Sequence, residues 1–166
     1  QKEPRIHLRG DMVHLPGGVE NQSSSHLGGV VSEKEKFLSI GEEALWLGIR
    51  EAVEGNTVKD ISSAIQTKVE GAGYSVVRSL VGHGVGKALH EEPEVPGYVI
   101  SGTGELLKAG MTLAIEVIYT MGSHEVILEK DGWTLSSMDK SLAGLFEMTI
   151  IVGKKKPKVL TDWRKV

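Results

Sequence analysis

Two apolar runs of strand-like length in the second half of the chain each contain one glutamate. Glu116 lies within residues 111–119 and Glu147 lies within residues 145–152. A carboxylate in such a run is costly to bury unless a positive group compensates its charge. Alternation along a strand allows another interpretation, because it places Glu116 on the same face as Ile118, and that face meets water if the strand is at a sheet edge.

A histidine between two glycines precedes both runs. His83 follows a short apolar stretch, and a second histidine, His90, follows it after seven residues. Glycine lets the backbone bend and lets another group come close, although a lone histidine at a strand end is usually structural. Neutral nitrogen and anionic oxygen are ligands that Mn, Fe, Co and Zn take from proteins. His83, Glu116 and Glu147 are therefore candidates for one shared site.

Helical periodicity in the first half predicts two amphipathic helices. Ser32 and Glu35 have the form of a capping box, and we expect a helix over about 33–54 that is closed by Gly55. A second helix is expected from Thr57 to the glycines at 71 and 73. The apolar stripe predicted for the first helix consists of Phe37, Ile40, Ala44 and Leu47, with Leu45, Ile49 and Val53 widening it.

The pattern changes to that of strands after the second helix. Helices followed mainly by strands predict an α+β fold, with an antiparallel or mixed sheet that carries the helices on one face. The length of 166 residues predicts a single domain over 1–166. The segments with strand-like patterns are 12–15, 75–81, 112–120, 125–129, 134–136 and 145–152.

Composition removes several classes of function. The net charge of -3 gives no basic field for nucleic acid, and the absence of cysteine excludes disulfides and thiolate metal sites. No apolar stretch reaches the ~20 residues of a membrane span, and no signal pattern opens the chain, so we expect no membrane partner and a cytoplasmic location. The first residue is Gln1 rather than Met, which predicts a processed product or part of a longer gene product.

Two further short segments of the sequence each allow a structural or a chemical interpretation. The charged sequence from His90 to Pro93 is most often a solvated loop, but such a loop can return His90 over His83 to donate a hydrogen bond to a substrate carbonyl or a developing oxyanion. Trp133 follows an Asp-Gly pair and is either a core residue or a flat apolar wall of a pocket.

Five short sequence motifs together resemble those of type I methionine aminopeptidases, which belong to the pita-bread metallopeptidases. The similarity runs from about Gly10 to Thr161 and corresponds to the C-terminal two-thirds of the family domain, without its upstream part. It implies a pita-bread fold, a divalent metal (Co, Mn, Fe or Zn) and removal of N-terminal methionine from a peptide or nascent protein. The five motifs are Gly82–Gly86, His90–Pro93, Ala114–Glu116, Asp131–Thr134 and Phe146–Thr149.

The resemblance also implies roles for individual residues. His83, Glu116 and Glu147 match metal ligands, and Glu116 additionally handles the proton of the attacking water. His90 matches the catalytic histidine that contacts the substrate. Leu89 and Trp133 match walls of the methionine side-chain pocket, although the family usually has an aromatic residue at the position of Leu89.

The first half of the chain departs from the family pattern at two ligand positions. Pro16 and Leu27 stand where the family has aspartates. Three remaining ligands suffice for one open site, so we expect one ion rather than two and low activity. Two alternatives remain: a pita-bread binding module without catalysis, or an error in the sequence between residues 16 and 29.

Overall fold

The first helix begins and packs as its sequence predicts but ends earlier. The computed structural model describes residues 13–14, 32–102, 104–132 and 134–165. Helix α1 spans Glu33–Arg50. The Ser32 hydroxyl accepts a hydrogen bond from the Glu35 amide, and the Glu35 carboxylate accepts one from the Ser32 amide, which confirms the capping box. Gly55 does not close this helix, and lies instead at a φ of 96° in the turn that follows.

The helices present one apolar face each to a sheet. On α1 the buried residues include Phe37, Ala44 and Leu45, whereas Ile40 and Leu47 are only half-buried, so the predicted stripe was wrong for those two. Helix α2 spans Val58–Gly71, and its buried residues are Val58, Ile61, Ser62, Ile65 and Val69.

Seven strands form a mixed sheet, and two more form a separate hairpin. The main order is β1-β8-β5-β3-β4, with β2 pairing with β5 and β9 with β8. Among the described strands, the pairing of β1 with β8 is parallel and the others are antiparallel. The strands are β1 Val13–His14, β2 Ser75–Val76, β3 Gly82–Gly84, β4 Glu91–Val95, β5 Thr112–Thr120, β6 Val126–Leu128, β7 Leu135–Ser137, β8 Ala143–Ile151 and β9 Lys158–Val159. A 3₁₀ helix follows at Trp163–Lys165.

Two strand predictions need correction. The segment 75–81 does not form one strand, because the chain leaves β5 after Val76 and returns as β3. Between them, Arg78 turns aside to pair with Glu70 and to stack over the ring of Tyr98. The segment after His90 is not a solvated loop, since β4 begins at Glu91 and pairs with β3 at the sheet edge.

The core lies between the helices and one face of the sheet. Ile115 and Val117 on β5 and Met148 and Ile150 on β8 join the buried faces of both helices in one cluster. Side chains alternate along a strand, so Glu116 and Glu147 belong to the opposite face. A smaller cluster on Val77 and Ile118 packs against the β6–β7 hairpin.

The α+β prediction is confirmed by this arrangement. The described part of the chain contains no helix that is long and apolar enough to cross a membrane.

Candidate metal centre

The two glutamates that stood out in the sequence are direct neighbours. Strands β5 and β8 pair antiparallel over nine residue pairs, and Glu116 is the partner of Glu147 in that register. Directly opposite residues on one face have Cβ atoms about 5 Å apart. Since β5 lies between β8 and β3, Glu116 is in the interior of the sheet. The interpretation of Glu116 as a water-facing edge residue was therefore wrong.

The surroundings of Glu116 disfavour a charged carboxylate. The side chain is 15% exposed, while Glu147 is exposed. Burial, followed by repulsion from the Glu147 carboxylate, raises the pKa of Glu116 to about 8. No lysine or arginine among the described residues forms an ion pair with either glutamate. A cation between the two carboxylates would compensate this charge.

His83 lies beside Glu116 with a free ring nitrogen facing it. Strand β3 pairs with β5, and the distance between His83 Nε2 and Glu116 Oε1 is 3.6 Å. His83 Nδ1 lies 2.9 Å from the carbonyl oxygen of Gly84, and a carbonyl can only accept, so Nδ1 carries the proton in this hydrogen bond. Nε2 faces the carboxylate, as in a metal-binding imidazole whose other ring nitrogen is oriented by a backbone carbonyl.

The glycines around His83 permit close packing of neighbouring backbones. A Cβ at position 82 would overlap the carbonyl oxygen of Ala114, and a Cβ at position 84 would overlap that of Glu92. The expectation that these glycines allow close approach is confirmed. The local sequence thereby lets β3 sit tightly between β4 and β5, with His83 aimed at Glu116.

The loop before β4 brings His90 beside His83, which is the second of the two arrangements considered for this segment. The two imidazole rings have centroids 4.2 Å apart and are tilted by 55°. His90 is exposed, which leaves it accessible to a ligand above the carboxylate pair. Leu89 is 55% exposed, so this proposed pocket wall faces solvent.

Three residues of the sequence argument lie outside the described part of the chain. They are Pro16, Leu27 and Trp133. On either side of position 133, the Asp131 carboxylate accepts hydrogen bonds from the amide and the hydroxyl of Thr134, at 2.9 Å and 2.5 Å.

The donor set fits a divalent metal in kind and in charge. One imidazole nitrogen and two carboxylates are borderline and hard ligands suited to Mn, Fe, Co or Zn. Within the described ranges, however, no group of three or more His, Asp or Glu side chains is close enough to hold an ion. The structure brings His83 to Glu116 and aligns Glu147 with Glu116, while the three-ligand set and the number of ions stay predictions.

One residue of this region was missed by sequence reasoning. The carboxylate of Glu91 accepts a hydrogen bond from the Ala88 amide at 2.8 Å, inside the loop that ends at His90. The available signal was the glycine at position 86, against which this carboxylate packs. Without that signal, a glutamate in a charged segment before a proline is interpreted as a solvated side chain.

Proteins of one known family resemble this chain in sequence and in fold. Residues 19–154 match the description "Metallopeptidase family M24". A methionine aminopeptidase of Clostridium perfringens is 40% identical, over 92% of this chain and 64% of the relative. The crystal structure of methionine aminopeptidase from Rickettsia prowazekii superposes with a TM-score of 0.76 at 38% identity, covering 81% of this chain and 55% of that one.

A second solved methionine aminopeptidase, from Thermotoga maritima, gives a TM-score of 0.75 at 39% identity and covers 81% of this chain and 54% of its own. The chain thus spans less than two thirds of the length of each of these proteins. The similarity confirms the resemblance to methionine aminopeptidases and the expected pita-bread fold. By its sequence and its fold, this chain belongs to metallopeptidase family M24.

Proposed function

We propose that this chain binds one divalent metal ion and slowly removes methionine from the N-terminus of a peptide or nascent protein. The observation that carries the proposal is the register of Glu116 with Glu147 on the sheet face where His83 Nε2 lies 3.6 Å from Glu116. The names of the relatives, all methionine aminopeptidases, supply the reaction class.

His83, Glu116 and Glu147 are the residues that would hold the ion. When bound, a divalent ion polarises the scissile carbonyl and activates water for attack. Glu116 accepts the proton from that water and passes it toward the leaving amine. His90, exposed above His83, donates a hydrogen bond to the carbonyl oxygen as negative charge develops on it.

The slow rate follows from the two substituted positions. Pro16 and Leu27 offer no carboxylate to bridge a second ion. Leu89, the proposed wall of the side-chain pocket, is more than half exposed and excludes water poorly. These features support one weakly bound ion and inefficient turnover.

A second candidate function is a binding module that holds a peptide or protein partner without cleaving it. The specific observation in its favour is that the described ranges assemble no group of three metal ligands. In that case the surface around His83 and the carboxylate pair is used for recognition only.

Elemental analysis combined with methionine release separates the two functions. The chain is incubated with Mn²⁺ or Co²⁺, desalted and assayed on a Met-Gly dipeptide, with His83→Ala as the matched variant. We expect up to one ion per chain and slow release, both reduced in His83→Ala. Peptide binding in the absence of both metal and release, unaffected by His83→Ala, would favour the binding module.

A further inference from the structure

The loop between β3 and β4 is folded around one carboxylate. Glu91 Oε1 accepts a hydrogen bond from the Ala88 amide at 2.8 Å. Within the same loop, the Gly86 amide donates to the Ala88 carbonyl oxygen at 3.1 Å. A Cβ at position 86 would overlap the Glu91 carboxylate, so the carboxylate rests directly on the backbone there. The loop thus has an internal anchor at its centre.

Few buried contacts fix this loop between its two ends. Residues 86–90 are all exposed, so apolar burial contributes little to their conformation. The far end of the loop is held by strand β4, where Glu91 pairs with Gly84 on β3. The start of the loop is tied to β5 by the hydrogen bond from the Val85 amide to the Thr112 carbonyl oxygen, at 2.9 Å. A surface segment with so few buried contacts opens locally at low cost. Each hydrogen bond that remains therefore contributes strongly to keeping the loop in one conformation.

The loop ends at His90, the residue whose position matters for the site. His90 directly precedes Glu91, and its ring lies 4.2 Å from that of His83. We propose that Glu91 is a positioning residue that, by binding the Ala88 amide, holds the His90 imidazole over His83. The consequence for catalysis rests on the function proposed above, whereas the effect on His90 itself does not.

The chemistry of Glu91 suits this role. An ionised carboxylate makes a charge-assisted hydrogen bond to a backbone amide, which is stronger than a neutral one. Glutamine keeps an acceptor oxygen on a side chain of the same length, whereas alanine removes the acceptor. Glu91→Gln therefore weakens the hydrogen bond to the Ala88 amide, and Glu91→Ala removes it.

The catalytic consequence is specific. His90 acts on charge that develops in the transition state, so displacing it removes an interaction that the ground state barely makes. Loss of the Glu91 anchor should then lower kcat and leave KM nearly unchanged. A loss of folded protein would also lower the apparent kcat without changing KM, so kcat is calculated from the folded fraction that circular dichroism measures.

The test compares Glu91→Ala, Glu91→Gln and Glu92→Ala with the unmodified chain. Glu92 is the matched control, since it is an exposed glutamate next in sequence and the hydrogen bonds found among the described residues include none to its carboxylate. Nuclear magnetic resonance without added metal measures two quantities: the Overhauser contact between the rings of His83 and His90, and the hydrogen-exchange rate of the Ala88 amide. Circular dichroism verifies that each variant is folded.

In Glu91→Ala we expect the ring contact to vanish and the Ala88 amide to exchange about tenfold faster, with Glu91→Gln intermediate and Glu92→Ala unchanged. Unchanged ring contact and exchange in folded Glu91→Ala would overturn the proposal. If Glu91→Ala does not fold, the same criteria apply to Glu91→Gln.

Methionine release distinguishes the two proposals. If the unmodified chain releases none while the ring contact depends on Glu91, the positioning role stands and the proposed function fails. If the unmodified chain releases methionine and folded Glu91→Ala keeps both the ring contact and the same kcat, the positioning role fails and the proposed function stands.

Discussion

At the scale of single residues, the chain places a largely buried carboxyl group directly opposite a second one on the same sheet face. Glu116 has Glu147 opposite it and His83 Nε2 3.6 Å from its Oε1, and no lysine or arginine among the described residues is paired with it. Core positions are usually filled by groups that stabilise the fold on their own. A residue that the fold alone does not favour is a candidate for function.

Glu116→Gln should therefore separate stability from metal binding. The amide keeps the volume of the side chain and removes a charge that burial and Glu147 disfavour, so the free energy of unfolding without metal should stay the same or rise. Affinity for Mn²⁺ or Co²⁺ should fall by at least about tenfold, or about 1.4 kcal/mol. Chemical denaturation and titration calorimetry measure the two effects.

The exposed Glu125 provides the control, since Glu125→Gln removes a carboxylate that is outside the proposed ligand set. Wild-type metal affinity in Glu116→Gln would remove Glu116 from the ligand set. A large loss of stability in the metal-free variant would show that its carboxylate has a structural role.

At the scale of elements, the helices were predicted well because their signals are local. The Ser32 capping box and the stripe through Phe37 lie within a few residues of the structure they determine. Strand β4 was not predictable in this way, because Glu91 to Val95 form a strand only by pairing with β3. For the site, residue types were visible in the sequence, while the pairing of Glu116 with Glu147 depends on a register set by two strands far apart along the chain.

The close packing of β3 against its neighbouring strands gives a prediction about glycine substitutions. Gly84→Ala would push a Cβ into the Glu92 carbonyl oxygen and should destabilise the fold by about 1–3 kcal/mol. Gly71→Ala, at the end of α2, meets nothing within 4 Å and should be neutral or stabilising by up to about 1 kcal/mol. Urea denaturation of both variants measures the contrast, and equal effects would contradict the packing described for β3.

The start of α2 gives a prediction about pH. Asp60 Oδ2 accepts hydrogen bonds from the Thr57 amide at 2.7 Å and the Thr57 hydroxyl at 2.8 Å, and these bonds lower the pKa of Asp60 below its ordinary value of 3.8. A lowered folded pKa means that the stabilisation is complete above 3.8 and is lost as pH falls through the folded value.

Asp60→Asn should accordingly be less stable than the unmodified chain at neutral pH, and the difference should shrink as pH falls below about 4. Urea denaturation at several pH values tests this. A difference that is constant across that range would show that the carboxylate charge has no part in capping α2.

At the scale of the whole molecule, the chain has the fold of its family, and the number of metal ligands that it offers is open to test. The last described residue of β1, His14, pairs with Leu145, which is two residues before Glu147 on β8. Pro16, which follows His14 by the same two residues in sequence, lies outside the described ranges. The interpretation of Pro16 as a replaced aspartate ligand therefore stays a prediction.

Restoring the two carboxylates tests whether ligand loss alone limits the protein. Pro16→Asp with Leu27→Asp adds the charge and the bridging oxygens that a second ion needs, so elemental analysis should show metal content rising from at most one ion toward two. The control pair, Pro16→Ala with Leu27→Ala, removes the same side chains without adding charge and should leave metal content unchanged. We expect methionine release to rise less than metal binding, because the proposed pocket wall Leu89 remains 55% exposed. Release that rises in proportion to bound metal would show that the ligands were the sole defect, and two ions in the unmodified chain would show that other side chains already replace the aspartates.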